Sequence, residues 1–157
     1  VGTLALCSAV ARMPEPPGGG WDARAAAALR EGMAPLAPPM IERMFTAAFR
    51  QAHPQSVETV RSTFLHTDPK GYAACLAVLR DADLRPFLAH VETPTLVMSG
   101  EQDMALSLAA LSELVQGISG ARHASFAGSG HFPPLEHPQE FAHTVTEFLR
   151  RHAANAS

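Results

Sequence analysis

Two stretches decide how this chain is read: GEQDMALSLAALSEL (100–114) and GSGHFPPLEHPQEF (128–141). The first puts an acid, Asp103, directly after the apolar run TPTLVMSG (93–100). The second puts a histidine, His131, among glycines directly after ARHASFAG (121–128). The first run reads as a short buried strand and the second as another strand, and each is followed by a helical pattern: LSLAALSELVQG (106–117), stopped by Gly117, and PQEFAHTVTEFLRRH (138–152). Strand, helix, strand, helix predicts a parallel sheet with crossover helices. In the last helix, Phe141, Val145, Phe148 and Leu149 form the expected buried stripe, and Arg150, Arg151 and His152 suit the negative end of the helix dipole.

In such sheets, functional groups collect beyond the carboxyl ends of the strands, where a crevice opens. Asp103 and His131 both occupy that place on successive strands, so the fold can bring them together. Gly128 and Gly130 permit the tight loop that this demands. An acid paired with a histidine is the rear half of a catalytic triad, in which the carboxylate fixes the imidazole tautomer and stabilises the imidazolium. The simpler readings are that Asp103 caps the next helix and that His131 faces water.

Upstream, VGTLALCSAV (1–10) is an unbroken apolar run, the pattern of a strand covered on both faces. RMPEPPGGGW (12–21), with its prolines and glycines, leads out of the sheet. From Trp21 to about Ala89 the period is helical. Asp22 is a candidate N-cap for ARAAAALREG, ended by Gly32. MIERMFTAAFRQ (40–51) places Ile41, Met44, Phe45, Ala48 and Phe49 on one face. A third helix is expected from about Gln55 to His66. The fourth has Asp68 as N-cap and Pro69 at its first position, with Tyr72, Cys75, Leu76 and Leu79 recurring at helical spacing and Cys75 expected in the core. The expected organisation is therefore a core strand and exit over 1–13, a helical cap over 14–89 and a second core segment over 90–157.

Composition narrows the function classes. Twelve Lys and Arg against fifteen Asp and Glu, with neither sign in a run, argue against nucleic acid or a membrane surface as partner. No stretch approaches the roughly 18 apolar residues of a membrane helix. Cys7 and Cys75 form neither a CxxC pair nor a metal-ligand spacing, and a reducing cytoplasm is the expected compartment. Despite eight histidines there is no HExxH, and His131, His137 and His143 do not align on a helix face, so neither metal nor cofactor is expected.

The order acid then histidine, followed by a proline-rich turn into a final helix, resembles the α/β-hydrolase family, in which serine, acid and histidine follow one another along the chain. Within that family, WDARAAAALREGM (21–33), IERMFTAAF (41–49) and above all DPKGYAACLAVLRDADLR (68–85) resemble the cap of the 3-oxoadipate enol-lactonases of the β-ketoadipate pathway of aromatic degradation. The resemblance runs from Val1 to about Leu149. Related lactonase-like hydrolases and cofactor-free haloperoxidases share parts of it. It implies an α/β fold, the C-terminal part of an α/β-hydrolase with an inserted helical cap, and a small lactone or ester as substrate. It also implies Asp103 and His131 as acid and base.

Two departures stand out. Family members commonly follow the acid with a proline-containing loop, whereas Asp103 runs straight into MALSLAAL. No GxSxG occurs anywhere in the chain. None of Ser8, Ser99, Ser107 and Ser129 sits in a strand-to-helix elbow with small residues two positions either side. The nucleophile and the oxyanion-hole loop are therefore expected upstream of Val1, in an N-terminal half of the same fold, and the present chain alone is expected to be inactive. A complementing subunit or a non-catalytic fragment is the reading of a different class.

An enol-lactone with a free carboxylate invites a guanidinium clamp, which binds carboxylate through two parallel hydrogen bonds. Trp21 and Arg24 flank the expected cap entrance and are the candidate substrate-binding residues, with Arg43 on the next helix a weaker one. Alternatively, Trp21 only packs the cap on the core and the arginines are surface groups.

Overall fold

A computed structural model describes residues 2–16 and 20–153. Part of the proline and glycine exit, residues 17–19, lies outside the described residues, as does Val1. Three parallel strands, β1 (Leu4–Cys7), β2 (Thr95–Gly100) and β3 (Arg122–Phe126), form a sheet in the order β1-β2-β3. In register, Leu6 lies beside Val97 and Val97 beside His123.

The central strand explains its own sequence. All six residues of β2 are buried because both faces are covered. On one face, Val97 packs with Leu111, Leu114 and Ile118 from α6 (Leu108–Gly117) and its exit. On the other, Leu96 and Met98 pack with Phe126 and with Phe148 of α8 (Pro138–Ala153). Each such fully buried side chain contributes about 1.5–3 kcal/mol. Phe141 and Val145 complete the inner stripe of α8, but Leu149 is exposed, one position beyond its edge.

β1 differs from its expected form. It spans four residues rather than ten, and among the described residues it pairs on one side only, with β2, and is only partly buried. It stops where Ser8 adopts φ 48°, a left-handed conformation that turns the chain out of the sheet.

Between β1 and β2 lie α1 (Gly20–Glu31), α2 (Ala37–Met44), α3 (Ala47–Ala52), α4 (Pro54–Leu65) and α5 (Pro69–Asp81). Asp68 caps α5 as its position predicts, accepting from the Gly71 amide at 2.8 Å, an interaction worth about 1 kcal/mol. Asp22 does not cap α1. The helix starts two residues earlier, and the Asp22 carboxylate pairs with Arg80 of α5, against which α1 packs. Cys75 is exposed rather than buried, because Leu76 is the residue of α5 that enters the core.

The apolar face of residues 40–51 is not one helix but two. Phe45 is extended (φ −119°, ψ 144°), and Thr46 then caps α3 by accepting from the Phe49 amide at 3.1 Å. The aromatic face survives the break, since Phe45 stacks on Phe49 with centroids 5.4 Å apart and meets Phe132 at 5.1 Å. Among the described residues, no helix is long and apolar enough to cross a membrane.

Candidate active site

The two loops that leave β2 and β3 are laced together before either side chain comes into play. Glu101 donates its amide to the Phe126 carbonyl at 3.0 Å, and Gln102 to the Ser129 carbonyl at 2.8 Å. In return the Gly128 amide donates to the Glu101 carboxylate at 3.2 Å. Gly128 takes φ 70°, which a side chain would strain. Gly100 lies so close to the Gly130 carbonyl oxygen that no Cβ fits between them.

This lacing brings Asp103 and His131 into contact. The imidazole Nδ1 lies 2.8 Å from Asp103 Oδ2, and the Asp103 side chain is 5% exposed against 17% for His131. The other carboxylate oxygen, Oδ1, accepts from the amides of Ala105 (2.7 Å) and Leu106 (3.2 Å). Asp103 therefore makes its own turn, in place of a proline-containing loop, and Ser107 caps α6 by accepting from Ala110 at 3.1 Å. A carboxylate on Nδ1 fixes the tautomer with its proton on that nitrogen, leaving Nε2 as the basic one.

The backbone of His131 is held as well. Its amide donates to the Met44 carbonyl at 2.8 Å, and its carbonyl accepts from Ser8 Oγ at 2.7 Å. Ser8 and Met44 were not expected at the site. No local pattern marks them, because each contributes through a main-chain break whose purpose lies in another part of the chain.

His131 lines a cavity of about 750 Å³, within the range of small-molecule sites. The walls are mostly apolar, with Trp21, Phe64 and Tyr72 among them. Among the described residues, Arg24, Arg43 and His131 are its cationic or basic groups, and no acidic side chain lines it. Trp21 is 6% exposed and sits beneath the Arg24 guanidinium, which lies 5.8 Å from the ring centroid. Trp21 thus both packs and lines the cavity. Arg43 is half-buried, and its Nε is buried without a hydrogen-bond partner. Burial, and then the charge of Arg24, hold the Arg43 guanidinium below its ordinary value.

The other candidate serines are each engaged in a contact of their own. Ser99 Oγ shares a hydrogen bond with His123 Nε2 at 2.9 Å, Ser107 caps α6, and buried Ser129 makes a 3.4 Å contact to the Gly130 carbonyl. Burial pushes the pKa of the Cys7 thiol up, which disfavours its thiolate. Among the described residues there is no group of three His, Cys, Asp or Glu side chains placed to hold a metal.

A parallel sheet with crossover helices and an inserted helical region, with an acid and a histidine at adjacent strand ends, is the architecture of the α/β-hydrolase fold. Residues 1–144 match the alpha/beta hydrolase family, and the chain belongs to it. It is 32% identical over 131 residues to 3-oxoadipate enol-lactonase 2 of Acinetobacter baylyi, covering 83% of this chain and 49% of that protein. The crystal structure of the enol-lactonase from Burkholderia xenovorans LB400 superposes with a TM-score of 0.86 at 38% identity, over 93% of this chain and 55% of that one. A thermophilic esterase from Thermogutta terrifontis, with malate bound, gives 0.84 at 27% identity, over 96% and 57%. The chain spans about half the length of the curated relatives it matches.

Proposed function

We propose that this chain supplies the cap, acid and base of a serine hydrolase that opens 3-oxoadipate enol-lactone, with the nucleophile and oxyanion hole contributed by a segment outside these residues. The observation that carries the proposal is the Asp103–His131 pair bordering a cavity that, among the described residues, is lined by two arginines and no acid. The likeness to two enol-lactonases supports the lactone.

In this reading His131 Nε2 takes the proton of the attacking serine while Asp103 stabilises the resulting imidazolium. The serine oxygen bonds to the lactone carbonyl carbon, the ring C–O bond breaks, and His131 returns its proton to the departing enolate oxygen. His131 next takes a proton from water, whose oxygen bonds to the acyl carbon; the bond to the serine oxygen breaks, His131 returns the proton to that oxygen, and the second carboxylate is freed. Arg24 and Arg43 bind the carboxylate that the substrate already carries, and Trp21 holds Arg24 by its ring face.

The test uses the polypeptide that contains the serine, or this chain mixed with the missing half. His131→Ala should lower enol-lactone turnover at least about 10⁴-fold, since removing one member of such a triad costs about 10⁴–10⁶-fold in kcat. Undiminished turnover would refute the assignment. A broader ester or lactone hydrolase is the second reading, favoured by the esterase likeness. Equal rates on lactones with and without a carboxylate would select it.

A further inference from the structure

We propose that Thr46 and Glu136 are positioning residues, forming a latch that ties the cap to the histidine loop and holds the His131 imidazole at a fixed distance from the arginine-bearing wall. The inference rests on His131 acting as the base.

The latch begins with the interruption between α2 and α3. A helix leaves its last carbonyls without internal partners. Here α2 stops at Met44, and the Met44 carbonyl accepts from the His131 amide at 2.8 Å. Two residues on, Thr46 is buried and has a double role. Its Oγ1 accepts from the Phe49 amide, which starts α3, and donates to Glu136 Oε2 at 2.8 Å. The second oxygen of Glu136 accepts from the Gly130 amide at 3.0 Å. Glu136 ends α7 (Pro133–Glu136), the short helix after the histidine. The circuit runs from Met44 through Phe45 to Thr46, across to Glu136, on to Gly130 and back through His131 to Met44.

The circuit is tight. A Cβ on Gly130 would stand 2.8 Å from the Met44 oxygen and 2.7 Å from Glu136 Oε1. The groups that close it (the Met44 carbonyl, the Thr46 hydroxyl, the Glu136 carboxylate and the Gly130 and His131 amides) are each paired with another member, so removing one leaves a donor or acceptor stranded near the base. Its function follows from what each side carries. Arg43 lies on α2, one residue before Met44, and His131 lies on the loop that Met44 grips. One set of hydrogen bonds thereby fixes both the anion-binding wall and the imidazole. Displacements of about 1 Å in such arrangements can cost about 100-fold in rate.

The experiment compares Thr46→Val, Thr46→Ser and Glu136→Ala. The first readout is the downfield proton resonance of the His131 Nδ1–H held by Asp103, recorded by NMR in the present chain without substrate. Its exchange with water should quicken at least about tenfold in Thr46→Val and Glu136→Ala, and return toward the parent value in Thr46→Ser. The second readout, in the serine-containing polypeptide, is kcat, expected to fall about tenfold or more while KM changes less than about threefold. Folded variants that keep the parent exchange rate and kcat would overturn the latch. If Glu136→Ala does not fold, the Thr46 pair decides. Lack of enol-lactone turnover in the parent would refute the proposed function, while the exchange measurement still judges the latch.

Discussion

Ser8 Oγ donates to the carbonyl of His131 at 2.7 Å, joining the exit of the first strand to the histidine loop. Ser8 does so from φ 48°, a conformation that carries a steric cost for any residue with a Cβ. The contact and the strained backbone are two sides of one arrangement.

Separating them gives the first prediction. Ser8→Ala keeps the strain and loses the hydrogen bond, for a destabilisation of about 1 kcal/mol. Ser8→Gly loses the same bond but relieves the backbone, so it should be the more stable of the two variants. Urea unfolding of both decides it. A less stable Ser8→Gly would mean that the left-handed conformation is not strained.

Gly100 tests the packing of the two site loops. A methyl there would collide with the Gly130 carbonyl oxygen, a backbone atom that cannot move aside as a side chain can. Gly100→Ala should therefore destabilise by at least about 2 kcal/mol. Gly2→Ala, where nothing lies within 4 Å, is the control and should unfold within about 0.5 kcal/mol of the parent.

Arg43 should show opposed effects on stability and binding. Its buried Nε lacks a partner, and burial disfavours its charge. Arg43→Met replaces it with an apolar side chain of similar length, and should raise the melting temperature by a few degrees, equivalent to about 1 kcal/mol. In the serine-containing enzyme the same change should raise KM for a carboxylate-bearing lactone about tenfold or more, and leave KM for a neutral ester nearly unchanged. A lower melting temperature with unaltered KM would assign Arg43 to packing alone.

The two thiols should react at different rates. Burial raises the pKa of the Cys7 thiol, so at a given pH a smaller fraction is thiolate than for an ordinary cysteine. Cys75 is exposed. At pH 8 a disulfide reagent should modify Cys75 first, and the rate at Cys7 should keep rising beyond the pH at which an ordinary thiol levels off. Mass spectrometry of the partly labelled chain distinguishes them, and preferential labelling of Cys7 would refute the assignment.

The parts of the molecule legible in the sequence are those governed by short-range rules. Asp68 and Pro69 mark a helix start by chemistry confined to one turn. The six buried residues of β2 announce a covered strand by composition alone. Asp103 and His131 were legible because a parallel sheet brings successive strand ends together. What the sequence concealed was decided at a distance. The pattern from Ile41 to Phe49 runs on through Phe45 with helical spacing, yet the chain breaks there, where the Met44 carbonyl meets the His131 amide. Glu136 and Thr46 stand 90 residues apart and share no local motif. The weight of Arg43 was likewise hidden, since it depends on Arg24 from another helix reaching the same cavity. Leu149 and Cys75 were misplaced for a milder reason: each sits one step past the edge of a buried stripe, where periodicity alone does not say how wide the contact is.

The sheet order also has a kinetic side. β2, α6 and β3 follow one another directly, so their pairing closes a short loop. β1 pairs with β2 only after the chain has passed through α1 to α5, and the entropy of closing that long loop is lost before any β1 hydrogen bond is gained. The β1–β2 ladder is thus the late event in folding, and because Ser8 leaves the end of β1 to hold the His131 carbonyl, the histidine loop acquires its final shape only when the first residues of the chain arrive.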